Sequence, residues 1–187
     1  MYVKICGLTR EEDIDACVAL SVDAIGLNLV PSSPRFCSET RALALAQYLG
    51  DRAQLVWVVG TAPPNFIIAS NGLIQRCDRA WPWPDAVAPD RRVEVVRSAA
   101  DTFGSLAIVD AVGGLGGTGK RADWGFAHAL TQQTRVVLAG GLTPNNVQEA
   151  ISTVRPFGVD VASGVEATPG MKDHTLLRHF VGAARSQ

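Results

Sequence analysis

Eight short runs of apolar, largely β-branched residues punctuate this chain, and stretches long enough for a helix separate most of them. The runs lie at Tyr2–Ile5, Asp23–Val30, Gln54–Val59, Leu73–Arg76, Arg92–Val96, Ser105–Asp110, Arg135–Ala139 and Gly158–Ala162. Between them, Arg10–Leu20, Glu39–Leu49, Asp123–Thr131, Pro144–Val154 and Met171–Ala184 read as helices. In the first of these, Ile14, Cys17 and Val18 fall at the 3-4 spacing of one helical face. Strands that alternate with helices form a parallel sheet, and eight such units close it into a (β/α)8 TIM barrel, here over residues 1–187 as one domain. The competing architecture is an open doubly wound sheet, which needs fewer strands.

Size constrains the barrel further. The usual floor for this fold is ~200 residues, and the chain has 187. Loops and some outer helices must therefore be trimmed. The trimming falls in the middle, where Ala62–Asn71, Arg79–Asp90 and Arg97–Thr102 are weak links. The stretch Ala80-Trp81-Pro82-Trp83-Pro84 cannot be a good helix, because each proline removes a donor and clashes with the preceding turn.

Seventeen basic and eighteen acidic side chains leave a net charge of -1, which gives no electrostatic footprint for nucleic acid or an anionic membrane. No apolar run approaches the ~18 residues of a spanning helix. The start, Met1 to Ile5, lacks a signal peptide's apolar stretch and reads as the first strand. Cysteines stand at 6, 17, 37 and 77, with no C-x-x-C pair, and His174 and His179 are a poor metal pair. These features predict free thiols, no metal site and a cytoplasmic protein.

In a barrel of this kind the active site lies at the C-terminal ends of the strands. Period two puts Lys4 and Cys6 on one face of the first strand, and the apolar pair Val3 and Ile5 on the face toward the outer helices. Cys6 then points inward at the rim. On the sixth strand Leu106, Ile108 and Asp110 share a face, and an acid at the end of a buried strand is out of place for packing. Taken alone, Cys6 also reads as a small buried hydrophobe, and Asp110 as a cap of the following loop. Gly140-Gly141 follows the seventh strand and Ser163-Gly164 the eighth. Barrel enzymes often bind phosphate with these two loops, where backbone N–H groups can approach an anion. Neither loop contains Lys or Arg, so backbone donors must carry the binding, helped by a short helical turn near Val165–Glu166. A further run, Gly113-Gly114-Leu115-Gly116-Gly117-Thr118-Gly119-Lys120, is not a phosphate-binding P-loop, because Arg121 stands where Ser or Thr is needed. It reads as a mobile loop that closes over a ligand. Arg35, in Ser33-Pro34-Arg35 beyond the second strand, suits a carboxylate or phosphate if it is not simply a solvated surface group.

Taken together, these segments resemble the phosphoribosylanthranilate isomerase family. The matches are Lys4-Ile5-Cys6-Gly7-Leu8-Thr9-Arg10, Ser33-Pro34-Arg35, Asp110 with Gly116 to Lys120 and Asp123-Trp124, Leu138 to Leu142 with Asn146-Val147, Gly158 to Glu166, and Pro169-Gly170-Met171-Lys172-Asp173. The resemblance covers residues 1–50 and 105–187. It implies a (β/α)8 barrel that catalyses an Amadori rearrangement of a phosphorylated aminosugar, without metal or organic cofactor, as a monomer or homodimer. By motif, Cys6 would be the general base, Asp110 the general acid and Arg35 the anchor of the anthranilate carboxylate. Gly140, Gly141, Ser163 and Gly164 would hold the phosphate. Lys4, Gln75 and Asp160 would be further substrate contacts, with Lys4 favouring the Cys6 thiolate. Where the family's fourth strand usually carries a histidine, this chain has Cys77. Over residues 51–104 either helices have eroded or the strand assignment is off by several residues. Two other functions compete. One is the related aminoaldose isomerisation of histidine biosynthesis, alone or as a second activity; that reaction commonly uses two aspartates, and Cys6 counts against it. The other is a phosphate-ligand-binding barrel with decayed activity.

Overall fold

A computed structural model describes residues 1–111 and 121–186. Eight parallel strands close into a barrel: β1 (Tyr2–Cys6), β2 (Ala24–Asn28), β3 (Gln54–Val59), β4 (Leu73–Arg76), β5 (Arg92–Val96), β6 (Leu106–Val109), β7 (Arg135–Leu138) and β8 (Gly158–Val161). Each strand pairs with its sequence neighbour, and β1 also pairs with β8, Lys4 standing beside Asp160. The open doubly wound alternative is excluded by that closure. Outside the barrel lie α1 (Glu11–Ala19), α2 (Glu39–Leu49), α3 (Asn65–Ile68), α4 (Trp124–Leu130), α5 (Val147–Val154) and α6 (His174–Arg185). The glycine-rich run at 113–120 lies outside the described residues.

The eight strands stand where the apolar runs put them, with ends that local chemistry sets. The second strand is shorter than its apolar run at both ends. Asp23 turns its carboxylate to accept from Val3 N at 2.8 Å, and Asn28 Oδ1 accepts from Val30 N at 2.8 Å, so each end bonds to a side chain. The last helix also begins later than Met171, where the sequence reading starts it. Met171–Lys172 form β10 and pair antiparallel with β9 (Glu166–Thr168), around a turn at Gly170 with φ +81°. The helix starts only at His174, where the Asp173 carboxylate accepts from Thr175 N and Leu176 N at 2.8 and 3.0 Å. From there Leu177, Phe180, Val181 and Ala184 bury one face, the 3-4 spacing of an amphipathic helix.

Over residues 51–104 the helices have eroded, while β3, β4 and β5 keep the predicted register. Only the single turn α3 follows β3, and no α-helix follows β4 or β5. The proline-rich segment covers the outer wall instead. Arg76 and Glu94, side by side on β4 and β5, form an ion pair on that wall with both side chains 9% exposed. The Trp83 indole donates to Glu94 at 2.6 Å, and the Arg76 guanidinium lies 4.9 Å from the Trp83 ring centroid and 5.4 Å from that of Trp81. Two indoles thus shield a charged pair that a helix would otherwise cover.

Inside the barrel, Val58, Cys77, Val93, Val95, Ile108, Val137 and Ala139 pack with Cys6. Gly26 sits opposite Cys6 on β2. A Cβ there would lie 2.9 Å from Cys6 Sγ and 3.3 Å from Lys4 Nζ, so the missing side chain is the space that β1 fills.

Candidate active site

The C-terminal ends of the strands surround an open cavity. Of the residues singled out in the sequence, Cys6, Asp110, Arg35, Gln75, Asp160, Gly140, Gly141, Ser163 and Gly164 all line it. Lys4 does not. It lies one layer below, fully buried, with Nζ 2.9 Å from Asp160 Oδ2. Burial alone would lower the Lys4 ammonium, but the charge and hydrogen bond of Asp160 push it above the ordinary lysine range.

Cys6 and Asp110 reach the cavity from the ends of β1 and β6, as the alternation of their strands requires. Burial pushes the Cys6 thiol up, with Asp160 adding to the effect, while Lys4 and Lys172 pull it down and lose. Burial also raises the Asp110 carboxyl. Against it act a hydrogen bond from Ala111 N to Asp110 Oδ1 at 2.7 Å and the charge of Arg97. The group suited to be the base thus holds its proton tightly. The group suited to be the acid has a higher affinity for one than a carboxyl in water.

The two glycine-containing loops pack on each other and on the acid. Gly140 and Gly141 have φ +80° and +66°, the left-handed region. A Cβ on Gly140 would approach Ala111 N to 2.9 Å and Asp110 Oδ1 to 3.0 Å, so this loop closes against the end of β6. A Cβ on Gly164 would collide with the Leu142 carbonyl, so the loop after β8 rests directly on the loop after β7. Asn146 locks the latter, donating to Gly141 O at 2.9 Å and accepting from Thr143 N at 2.8 Å. Residues 163–165 form a single 3-10 turn, slightly earlier than the turn expected near Val165–Glu166.

Arg35 is buried, not a solvated surface group. Its Nε and Nη2 donate to the two Glu166 oxygens at 2.8 and 2.7 Å. Glu166 also accepts from Lys172 Nζ at 2.8 Å. Burial alone would raise the Glu166 carboxyl, but Arg35 and Lys172 hold it below the ordinary carboxylate range. Gly7, φ +74°, lets the Arg35 stem pass, since a Cβ there would strike it.

Sequence reasoning passed over three participants. Glu166 and Lys172 were noticed only as motif letters, and nothing in their spacing says that they meet Arg35. Arg97 fell in a link read as weak, yet it continues the inward positions Val93 and Val95, the same period-two rule that found Asp110. It lines the cavity, and Nη1 donates to Cys77 O at 3.3 Å. Among the described residues, its buried Nε and Nη2 find no hydrogen-bond partner, and neither do Gln75 Oε1 and Asp160 Oδ1. A cavity whose wall presents such donors and acceptors is suited to a polar ligand.

Comparison with known proteins points the same way. A sequence model of the family described as N-(5'phosphoribosyl)anthranilate (PRA) isomerase matches residues 70–183. The N-(5'-phosphoribosyl)anthranilate isomerase of Dechloromonas aromatica (strain RCB) is 37% identical over 98% of this chain and 95% of its own length. A crystal structure of phosphoribosyl anthranilate isomerase from Thermus thermophilus superposes with a TM-score of 0.85, at 30% identity, over 100% of this chain and 99% of that one. Another, of the enzyme in complex with reduced 1-(o-carboxyphenylamino)-1-deoxyribulose 5-phosphate, gives 0.80 at 29% identity, over 100% of both chains.

Proposed function

The chain belongs to the N-(5'-phosphoribosyl)anthranilate isomerase family, and from that premise we propose how its own residues carry out the family's reaction. The enzyme converts N-(5-phosphoribosyl)anthranilate to 1-(2-carboxyphenylamino)-1-deoxyribulose 5-phosphate in tryptophan biosynthesis. The observation that carries the assignment of roles is that Cys6 and Asp110 enter one cavity from β1 and β6, with the glycine-containing loops and Arg35 on its walls.

The amides of Gly141, Ser163 and Gly164 hold the phosphate, as backbone donors can where no side chain intervenes. Gly140 brings its loop against Asp110. Arg35 holds the anthranilate carboxylate with the edge of its guanidinium that Glu166 leaves free. Asp110 gives a proton to the furanose ring oxygen, and the C1–O bond breaks. The nitrogen lone pair closes a C1=N iminium. That cation acidifies C2, and the Cys6 thiolate removes the C2 proton. The resulting enolamine tautomerises to the aminoketone. An acid and a base at two strand ends perform both transfers, so no metal or cofactor is called for. Burial favours the proton that Asp110 gives but also the one that Cys6 must lose, and the developing iminium offsets the latter by stabilising the nearby thiolate.

The direct test follows the loss of phosphoribosylanthranilate fluorescence. Turnover with this substrate and none with the aminoaldose of histidine biosynthesis is expected. Binding without turnover, or turnover of the histidine-pathway aminoaldose alone, would refute the assignment. Two further measurements examine the phosphate loops: millimolar phosphate should inhibit competitively, and crystals grown in sulfate should show an anion on the amides of Gly141, Ser163 or Gly164. An ordered but empty site, with no inhibition, would remove that part of the reading.

A further inference from the structure

Arg35 is half of a larger arrangement. Its guanidinium and the Lys172 ammonium share one carboxylate, that of Glu166. The three side chains are 7%, 0% and 4% exposed in the order Arg35, Lys172, Glu166. The other acceptors of Lys172 Nζ are neutral: the Cys6 and Ala162 carbonyls, at 2.7 and 3.1 Å. Two cations and one anion leave the cluster with a net charge of one positive unit.

The count matters because of how ion pairs attract a third charge. An isolated Arg35–Glu166 pair would be neutral overall. A substrate carboxylate meeting that guanidinium would also feel the Glu166 carboxylate behind it, and in a buried wall little water would screen the repulsion. Lys172 cancels the Glu166 charge, its Nζ sharing with Arg35 Nε the same carboxylate oxygen, Oε1. Lys172 itself does not line the cavity, so it cannot bind the ligand directly. Glu166 has a separate effect. Its bidentate grip fixes the guanidinium plane, which lowers the ordering cost when the ligand binds.

We propose that Lys172 is a positioning residue that supplies the net positive charge by which Arg35 holds the substrate carboxylate, while Glu166 sets the plane of the Arg35 guanidinium. The inference deepens the reading of Arg35 given above and rests on it. It also accounts for the hairpin of β9 and β10. That hairpin is the element that brings Lys172 under Glu166, and Lys172 N in turn bonds the buried Asp13 carboxylate at 3.2 Å, tying the hairpin to α1.

Calorimetric binding of two ligands tests it. One is the reduced product analogue with its carboxylate, and the other is the same molecule with a phenyl ring in place of the carboxyphenyl ring. Arg35→Ala should weaken the carboxylated ligand alone. Lys172→Met should do the same, by about tenfold or more, the Coulomb effect of one partly screened charge. Lys172→Met combined with Glu166→Gln restores the net charge and should recover most of that loss. The double variant also replaces a buried pair by near-isosteres, so it should fold even if Lys172→Met does not. In that case its affinity for the carboxylated ligand should lie within about fivefold of the unaltered protein, against tenfold for one uncompensated charge.

The outcomes separate cleanly. If Arg35→Ala weakens both ligands equally, the carboxylate reading falls and this inference falls with it. If Arg35→Ala is selective but Lys172→Met is not, the inference alone is overturned. A double variant that binds the carboxylated ligand no better than Lys172→Met, or tenfold worse than the unaltered protein, also overturns it. That pattern would mean Lys172 matters through packing and not charge.

Discussion

Asp110 and Cys6 stand at the inward ends of two strands and line one cavity. Both were legible from period-two alternation, because a polar or reactive side chain at the inward end of a buried strand has no packing reason to be there. Their proton affinities were not legible, since those depend on burial and on Lys4, Asp160 and Arg97, which arrive from other strands. The combination has a kinetic signature. On the proposed roles, catalysis needs protonated Asp110 and ionised Cys6; burial moves the carboxyl toward its productive form and the thiol away from it. The productive form is then a constant minor fraction between the two pKa values and falls away on both sides. kcat/KM should trace a bell whose acid limb belongs to the Asp110-like ionisation and lies above the ~4 of a carboxyl in water, although each limb strictly belongs to the pair. Arg97 lowers the Asp110 value, so Arg97→Met should move the acid limb to higher pH, whatever it does to the height of the curve. An acid limb that stays in place would show that Arg97 does not act on Asp110. Cys6→Ala should lower kcat by roughly 10²–10⁴-fold, the usual contribution of a general base, and near-normal turnover would remove Cys6 from the mechanism.

At the level of elements, strand positions followed from composition, whereas ends and covers did not. In the sequence, residues 171 and 172 read as the start of the last helix. They pair as β10 because Gly170 turns the chain and Asp173 caps the helix two residues later, a tertiary choice that periodicity cannot express. The wall over β4 and β5 is a second case. Proline excluded a helix from Ala80 to Pro84, but nothing in that string says its tryptophans would cover Arg76 and Glu94. The cover makes an energetic prediction. Arg76→Met leaves the enclosed Glu94 with the more distant Arg79 guanidinium, at 3.6 Å, as its remaining cation, and should cost roughly 2–3 kcal/mol in denaturant unfolding, less than the ~3–5 of a buried charge with no partner. Arg76→Met with Glu94→Leu removes both charges and should cost clearly less, because the desolvation of the pair is avoided. Equal losses in the single and double variants would mean that Arg76 contributes by packing on the indoles.

On the scale of the whole barrel, the trimming that its length demanded is concentrated on one side. Helices α2, α1, α6, α5 and α4 pack side by side in that order, forming a continuous arc. The arc leaves the β3–β5 side to α3, the two indoles and loops. Short length was legible in the sequence; the lopsided distribution was legible only as weak links, because a loop's packing depends on the strand it happens to face. Local opening is easiest where few apolar side chains hold a strand's cover in place. Amides of β4 and β5 should therefore exchange hydrogen through openings of lower free energy than those of β1 and β8, in native-state exchange at low denaturant. Both groups are barrel strands paired to a neighbour on each side, so hydrogen bonding alone would give them similar protection. Phosphate, if it binds the loops after β7 and β8, should slow exchange there by mass action, at ~2.7 kcal/mol for a ligand at a hundred times its Kd, wherever exchange proceeds through opening of that site. The β4–β5 amides should respond less, because their cover can open without disturbing those loops. Uniform protection around the barrel, with a uniform response to phosphate, would show that the indole-covered wall is as firmly held as the helical arc.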